Sequence, residues 1–245
     1  MQEKTCSKQS INTLQMLKEE AQATYCRPLK WETTVLLAHY DQQTTLLVTA
    51  RGEIFQMPQT LVNTLNQFAS HNDCFESDIM SAYQLVNCPY RGLVQGLHRL
   101  VPTCGLHSAD LVFYNAAFLE DYCYLTDESQ MQLNFRLGNQ ALHVKVPASH
   151  TGFAKRLAAA DHVSALQLDH LHYLMHCYGF PHECTPISNV YVHFMQLRKR
   201  ALDCFESRIK HCFDQTFQHC YGEKPDADFL SSLHQAVHRC FQHKF

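Results

Sequence analysis

The first periodic run of apolar positions is Ile11, Leu14, Leu17 and Ala21, spaced by three and four, with Ser10 placed to cap it. That spacing predicts a short amphipathic helix over 10–24, ended by Pro28. Residues 33–39 and 44–50 are dense in β-branched and aliphatic side chains around the polar Tyr40-Asp41-Gln42-Gln43, and Arg51-Gly52 then turns into 53–57. Three antiparallel strands are expected there. Pro58 followed by Leu61, Val62, Leu65 and Phe68 fits a helix of about three turns lying on that sheet, with the proline in its first turn. Residues 70–88 mix polar and apolar positions without a period and are expected to be irregular.

Further strands are expected over 93–101, 111–117, 121–125 and 131–137. Gly138-Asn139 then turns the chain into 141–146, where Leu142, Val144 and Val146 alternate with His143 and Lys145. Beyond Pro147 the period changes, and 153–160, with its Ala158-Ala159-Ala160 run, opens a mainly helical region. Over 190–221 the residues Phe194, Leu197, Ala201, Phe205, Ile209, Cys212 and Phe213 form an apolar stripe opposite Arg198, Lys199, Asp203, Glu206 and Lys210. Residues 222–225 break that helix, and Asp226 or Asp228 caps a last one carrying Phe229, Leu233, Val237 and Phe241. The two make an αα-hairpin of about fifty residues. The expected class is therefore α+β, an antiparallel β-rich N-terminal part with a C-terminal helical hairpin. Its organisation is a helix and lead-in over 1–30, a β-rich domain over 31–165 and a helical extension over 166–245.

Composition narrows the function classes. A chain of 245 residues with 46% hydrophobic and 18% charged positions buries a core, and eight Gly and eight Pro exclude collagenous and low-complexity classes. Neither GxxxxGK[ST] nor GxGxxG occurs, so the common phosphate-cradling loops are absent. The formal net charge of -3 gives no positive field over the whole molecule. The 17 histidines change that picture on acidification, since each starts to charge as pH falls through about 6.5. Affinity for polyanions is expected to rise between about pH 7.5 and 6. Lys4 has no apolar region behind it and the dense apolar stretch 111–119 contains Asn115, so neither a secretory leader nor a membrane span is expected. A cytoplasmic protein is expected, with its 12 cysteines as thiols, most of them filling the core.

Candidate chemistry is sparse. His170-x-His172, His176-Cys177 and His182-x-Cys184 put six donors within fifteen residues, which could supply tetrahedral zinc, but the spacing matches no common zinc module. A His-rich helical surface is the preferred reading. His211-Cys212 and His219-Cys220 repeat at a spacing that drifts around a helix and read as packing. Glu120-Asp121 and Asp127-Glu128 flank a strand and read as solvated turns. No enzymatic activity, metal or cofactor is expected.

Basic residues are uneven: 31–160 holds seven Lys or Arg against eleven acids, and 189–245 holds eight against six. Arg198-Lys199-Arg200 is the one dense cluster, and a triplet spans nearly the whole circumference of a helix, so at least one member faces solvent. Arg91 and Arg99, with Lys145, Lys155 and Arg156, are candidates to converge across strands on a DNA backbone or minor groove.

The order of features from about 34 to 160 resembles the ComK-type competence transcription factors, bacterial activators that bind A/T-rich promoter DNA. Ile54-Phe55-Gln56-Met57-Pro58 leads into the helix of Leu61 and Leu65, then come Cys74-Phe75 and Tyr90-Arg91-Gly92 before a strand ending in Val101-Pro102. Leu111-Val112-Phe113-Tyr114, Tyr122-Cys123-Tyr124-Leu125 and the hairpin Leu133-Asn134-Phe135 to Gly138-Asn139 to Leu142 and Val146 follow, with Ser149 and Phe153 closing the series. The resemblance covers about half of the chain. Where the family carries Gly-Ser-Ser and Gly-Arg-Lys, this chain has Glu76-Ser77-Asp78 and Arg91 alone, and Tyr114-Asn115-Ala116 stands for Phe-Pro-Thr. The resemblance implies a cofactor-free homo-oligomer that reads A/T-rich double-stranded DNA largely through groove shape, with Arg91 and Arg99 carried over. The alternative is a non-enzymatic interaction or regulatory protein that has kept the fold and lost DNA binding.

Overall fold

The computed structural model of the chain describes residues 11–24, 27–88, 92–178 and 187–241. The elements begin β1 (Ile11–Thr13), α1 (Leu14–Glu20), β2 (Gln22–Ala23), β3 (Thr34–His39), β4 (Thr45–Thr49), β5 (Ile54–Met57), α2 (Leu61–His71) and α3 (Glu76–Leu85). Six strands follow: β6 (Leu93–Gln95), β7 (His98–Pro102), β8 (Val112–Asn115), β9 (Leu119–Leu125), β10 (Gln130–Leu137) and β11 (Gln140–Val146). Three helices end the chain: α4 (His150–Cys177), α5 (Ile187–Tyr221) and α6 (Ala227–Phe241). The fold is α+β, with antiparallel-rich sheets and a helical C-terminal region. Among the described residues no helix is long and apolar enough to cross a membrane.

Two compact units divide the chain. The first holds Met1–Cys74, Gly92–Val94 and His98–Ala160, and the second holds Phe75–Arg91, Gln95–Leu97 and Asp161–Phe245.

The first unit is layered around two sheets, β2-β5-β4-β3-β8-β7-β6 and β1-β11-β10-β9. Alternation assigns the faces. Leu37, Leu47, Phe55, Met57, Leu100 and Phe113 pack with Leu61 and Phe68 of α2 on one face of the larger sheet. Trp31 lies edge-on to Phe68 at 4.7 Å and stacks on His98 at 5.3 Å, which seals that layer. The opposite face carries Leu36 and Tyr114, a cross-strand pair, and Tyr114 reaches Phe135 of the smaller sheet at 6.5 Å and Phe153 of α4 at 5.2 Å. Strand β3 is thus buried on both faces, which is why its sequence is a continuous apolar run. Asn115 at the end of β8 is fully buried and satisfied, its amide donating to the Trp31 and Thr34 carbonyls at 2.8 and 3.0 Å.

Several boundaries differ from the sequence reading, each for a local reason. The helix expected over 10–24 shrinks to Leu14–Glu20, because Ile11–Thr13 pairs in parallel with β11 and Thr13, in place of Ser10, caps the helix through the Met16 N–H at 3.3 Å. Pro58 stays outside α2, whose cap is Thr60, accepting from the Asn63 N–H at 3.3 Å. The strand expected over 93–101 breaks in two at Gly96, whose φ of 57° is the left-handed turn conformation open to glycine. Residues 76–85, expected to be irregular, form α3; it has no side-chain cap, but Glu76 and Asp78 sit in its first turn, where the helix dipole favours acids.

The second unit is helical and tied by polar contacts. Arg208 of α5 donates to Asp78 of α3 at 3.0 Å, and the Ser207 hydroxyl donates to the Ser81 carbonyl at 3.2 Å. Gly96 is clasped by α4: its N–H donates to Gln167 Oε1 at 2.7 Å and its carbonyl accepts from the Ser164 hydroxyl at 2.6 Å. Asp226, not Asp228, caps α6 through the Phe229 N–H at 2.6 Å. Phe229 meets Phe213 and Phe217 of α5 at 5.7 and 5.6 Å, so rings close the hairpin. The expected apolar stripe of α5 is imperfect, for Cys212 is exposed and Phe213 is 37% exposed while His211 is the buried residue of that turn. The expectation of core cysteines holds in part among the described residues: Cys74 and Cys104 are half-buried and pack against the apolar cluster of the larger sheet, Cys88 and Cys204 are half-buried, and Cys123, Cys212 and Cys220 are exposed.

Candidate nucleic-acid interface

The start of α4 gathers the densest set of anion-binding groups among the described candidates. Ser149 precedes the helix and caps it, its hydroxyl accepting from the Gly152 N–H at 3.2 Å while its carbonyl accepts from the Phe153 N–H at 2.9 Å. The first N–H groups of a helix lack intrahelical partners and lie at the positive end of its dipole. Arg156 stands one turn on, and because helical side chains tilt toward the N-terminus, its head returns over that first turn. A Cβ added at Gly152 would lie 2.8 Å from Arg156 Nη1 and 2.7 Å from Ser149 Oγ, so glycine leaves the guanidinium its place. Lys155 beside it is exposed. Phe153 anchors this turn in the core against Tyr114 and, at 4.8 Å, Tyr122, and His150 lies 6.1 Å from Tyr124.

The remaining candidates stand elsewhere. Arg99 is half-buried on β7 and, by alternation, shares the face of Val101 rather than that of Leu100. Lys145 lies on the outer face of the smaller sheet, where both oxygens of Glu128 hold it at 2.6 and 2.8 Å. On the same sheet Arg136 pairs with Glu120, and Asn134 donates to Asp121 and meets His143 Nδ1 at 2.6 Å. Its cations are matched by carboxylates, so this face offers little to a phosphate backbone. Arg91 lies outside the described residues, as does the side chain of Arg198. Lys199 is exposed on α5, and Arg200 is paired with Asp169. Ser149 and Gly152 were missing from the site read in the sequence; the signal for them is a Ser three residues ahead of a Gly where a helix begins.

Of two clefts in the second unit, the first has an excess of acids. A cleft of about 350 Å³ is lined by Leu85, Asp203, Glu206, Lys210, Leu230 and Leu233, and a second of about 330 Å³ shares Leu85 and Asp203 and adds His162, Leu166 and Arg200. Burial and then Asp73 push the Cys74 thiol of the first unit up to about 11, and burial and then Asp203 do the same for Cys204 of the second, so neither is a thiolate nucleophile at neutral pH. Burial, and secondarily Arg208, holds His170 below its ordinary value against the opposite pull of Asp78. Of the six metal donors considered, His182 and Cys184 lie outside the described residues, and among the described residues no group of three His, Cys, Asp or Glu could hold a metal ion. Comparison with family models, with curated proteins and with solved structures returns no match.

Proposed function

We propose that this chain is a DNA-binding transcriptional activator of competence genes, which grips A/T-rich promoter DNA from the first turn of α4 and acts as a cofactor-free homo-oligomer. The single observation that carries this reading is the α4 start: a capped helix N-terminus, Arg156 folded back over Gly152, and exposed Lys155 in one turn. Oriented N–H groups and two cations suit a phosphate, which positions a protein on the duplex. The collinear likeness to ComK-type factors supports A/T-rich DNA as the polymer. Arg99 is the further cation assigned to the same unit.

The test is fluorescence anisotropy on A/T-rich and G/C-rich duplexes at two salt concentrations. Replacing Lys155 and Arg156 together by Ala is expected to weaken A/T-rich binding by at least about tenfold and to lower the salt slope by roughly two, since each neutralised phosphate contributes about 0.9. Unchanged affinity and slope would remove the α4 start from the site. A second reading is favoured by Asp203 and Glu206 in the first cleft, which suit docking of another protein. Under that reading no salt-sensitive shift appears with either duplex.

A further inference from the structure

Sheet edges expose unpaired N–H and C=O groups, and proteins blunt them by keeping edge strands short or charged. Three of the four edges among the described residues follow that rule: β2 has 2 residues, β6 has 3 and β1 has 3. The fourth, β9, has 7 residues and pairs with β10 on one side only. Its two acids do not guard it, because Glu120 is tied to Arg136 and Asp121 to Asn134, both on β10. The rest of the strand, Tyr122-Cys123-Tyr124-Leu125, carries neither formal charge nor proline, with Tyr122 37% exposed and Cys123 exposed. The register shift opposite Asn134 and Phe135 lies at its start, leaving Asp121 to Leu125 in regular register.

We infer that β9 pairs antiparallel with β9 of a second copy about a two-fold axis through Cys123, joining two four-stranded sheets into one of eight. The sequence is self-complementary in that register. Tyr122 faces the second copy's Tyr124, Asp121 faces its Leu125 and Glu120 its Thr126, so no carboxylate meets another across the junction. A basic peptide is a poorer occupant, since the acids it would seek already have Arg136 and Asn134. The inference rests on the homo-oligomer part of the proposed reading, for which it names the surface, and does not depend on the DNA part.

Sedimentation of the full chain under reducing conditions over roughly 1 to 100 μM tests it. The wild type and Cys123→Ser are expected to dimerise. Cys123→Lys and Cys123→Glu each put like charges face to face and raise the dissociation constant at least about tenfold, while an equimolar mixture of the two restores the dimer. Unaltered melting of each variant certifies the fold. A wild type that stays monomeric, charge variants that dimerise as it does, or a mixture that fails to restore association would each overturn the proposal. Loss of the DNA shift with the dimer intact sinks only the DNA reading.

Discussion

The two units draw on apolar burial and on polar links in different proportions. In the first, Phe68, Tyr114, Phe135 and Phe153 are fully buried among strands whose apolar alternation matches their pairing. In the second, α3 buries Ile79, Met80, Ala82 and Tyr83, and the 35-residue α5 is linked to α3 by Arg208, Ser207 and their half-exposed polar partners. Apolar burial gives each residue of the first unit a place that no other register provides. Half-exposed hydrogen bonds and ion pairs contribute far less, so the second unit should open more easily.

Paired truncations should expose that contrast most strongly. Phe153→Ala removes a ring stacked on Tyr114 and packed on Tyr122 and is expected to cost about 3–5 kcal/mol. Arg208→Ala breaks a pair whose side chains are 38% and 37% exposed and is expected to cost below about 1 kcal/mol. Trp31, the one tryptophan, reports on the first unit in urea titrations, and far-UV dichroism reports on the helices. An Arg208→Ala loss as large as that of Phe153→Ala would erase the distinction.

Acid should strain both units. Burial and Lys18 hold His39 of the first unit below its ordinary value of 6.5, and burial with Arg208 does the same for His170 of the second. A depressed histidine is neutral in the folded state while the unfolded chain takes up the proton first. Its stabilisation is therefore complete above about pH 6.5 and is lost as pH falls toward the folded value. Melting temperature should drop as pH falls from about 6.5 to 5.5, and His39→Gln or His170→Gln should each flatten that drop. A wild-type melting temperature independent of pH over this range would contradict the assignment.

Legibility followed that divide only in part, since α5 and α6 of the second unit were also readable from their apolar stripes. Strands β3, β4, β5, β10 and β11 were readable because their apolar spacing is what the core selects. Helix α3 was not, although Ile79, Ala82 and Tyr83 hold helical spacing, because it has no side-chain cap to mark its start, the buried polar Ser81 interrupts its apolar face, and Arg208 answers Asp78 from 130 residues away. Ser10 outranked Thr13 as a cap because a three-residue parallel pairing with β11 leaves no local trace. At the site, Lys155 and Arg156 were visible as charges, whereas the engagement of Lys145 by Glu128 and of Arg200 by Asp169 depends on tertiary neighbours.

The smallest effect should come from Gly152→Ala, and it separates positioning from stability within the first unit. Alanine in place of a helical glycine gains up to about 1 kcal/mol, but the new methyl must displace the Ser149 hydroxyl, whose cap is worth about the same. Net stability should stay within about 0.5 kcal/mol of wild type. The methyl also falls 2.8 Å from Arg156 Nη1, closer than real contacts allow, so the guanidinium must swing off the first turn. Losing about 1 kcal/mol of phosphate contact would weaken binding to A/T-rich duplex roughly fivefold, with melting unaltered. Affinity equal to wild type would mean that Arg156 reaches the DNA from a different orientation or does not reach it.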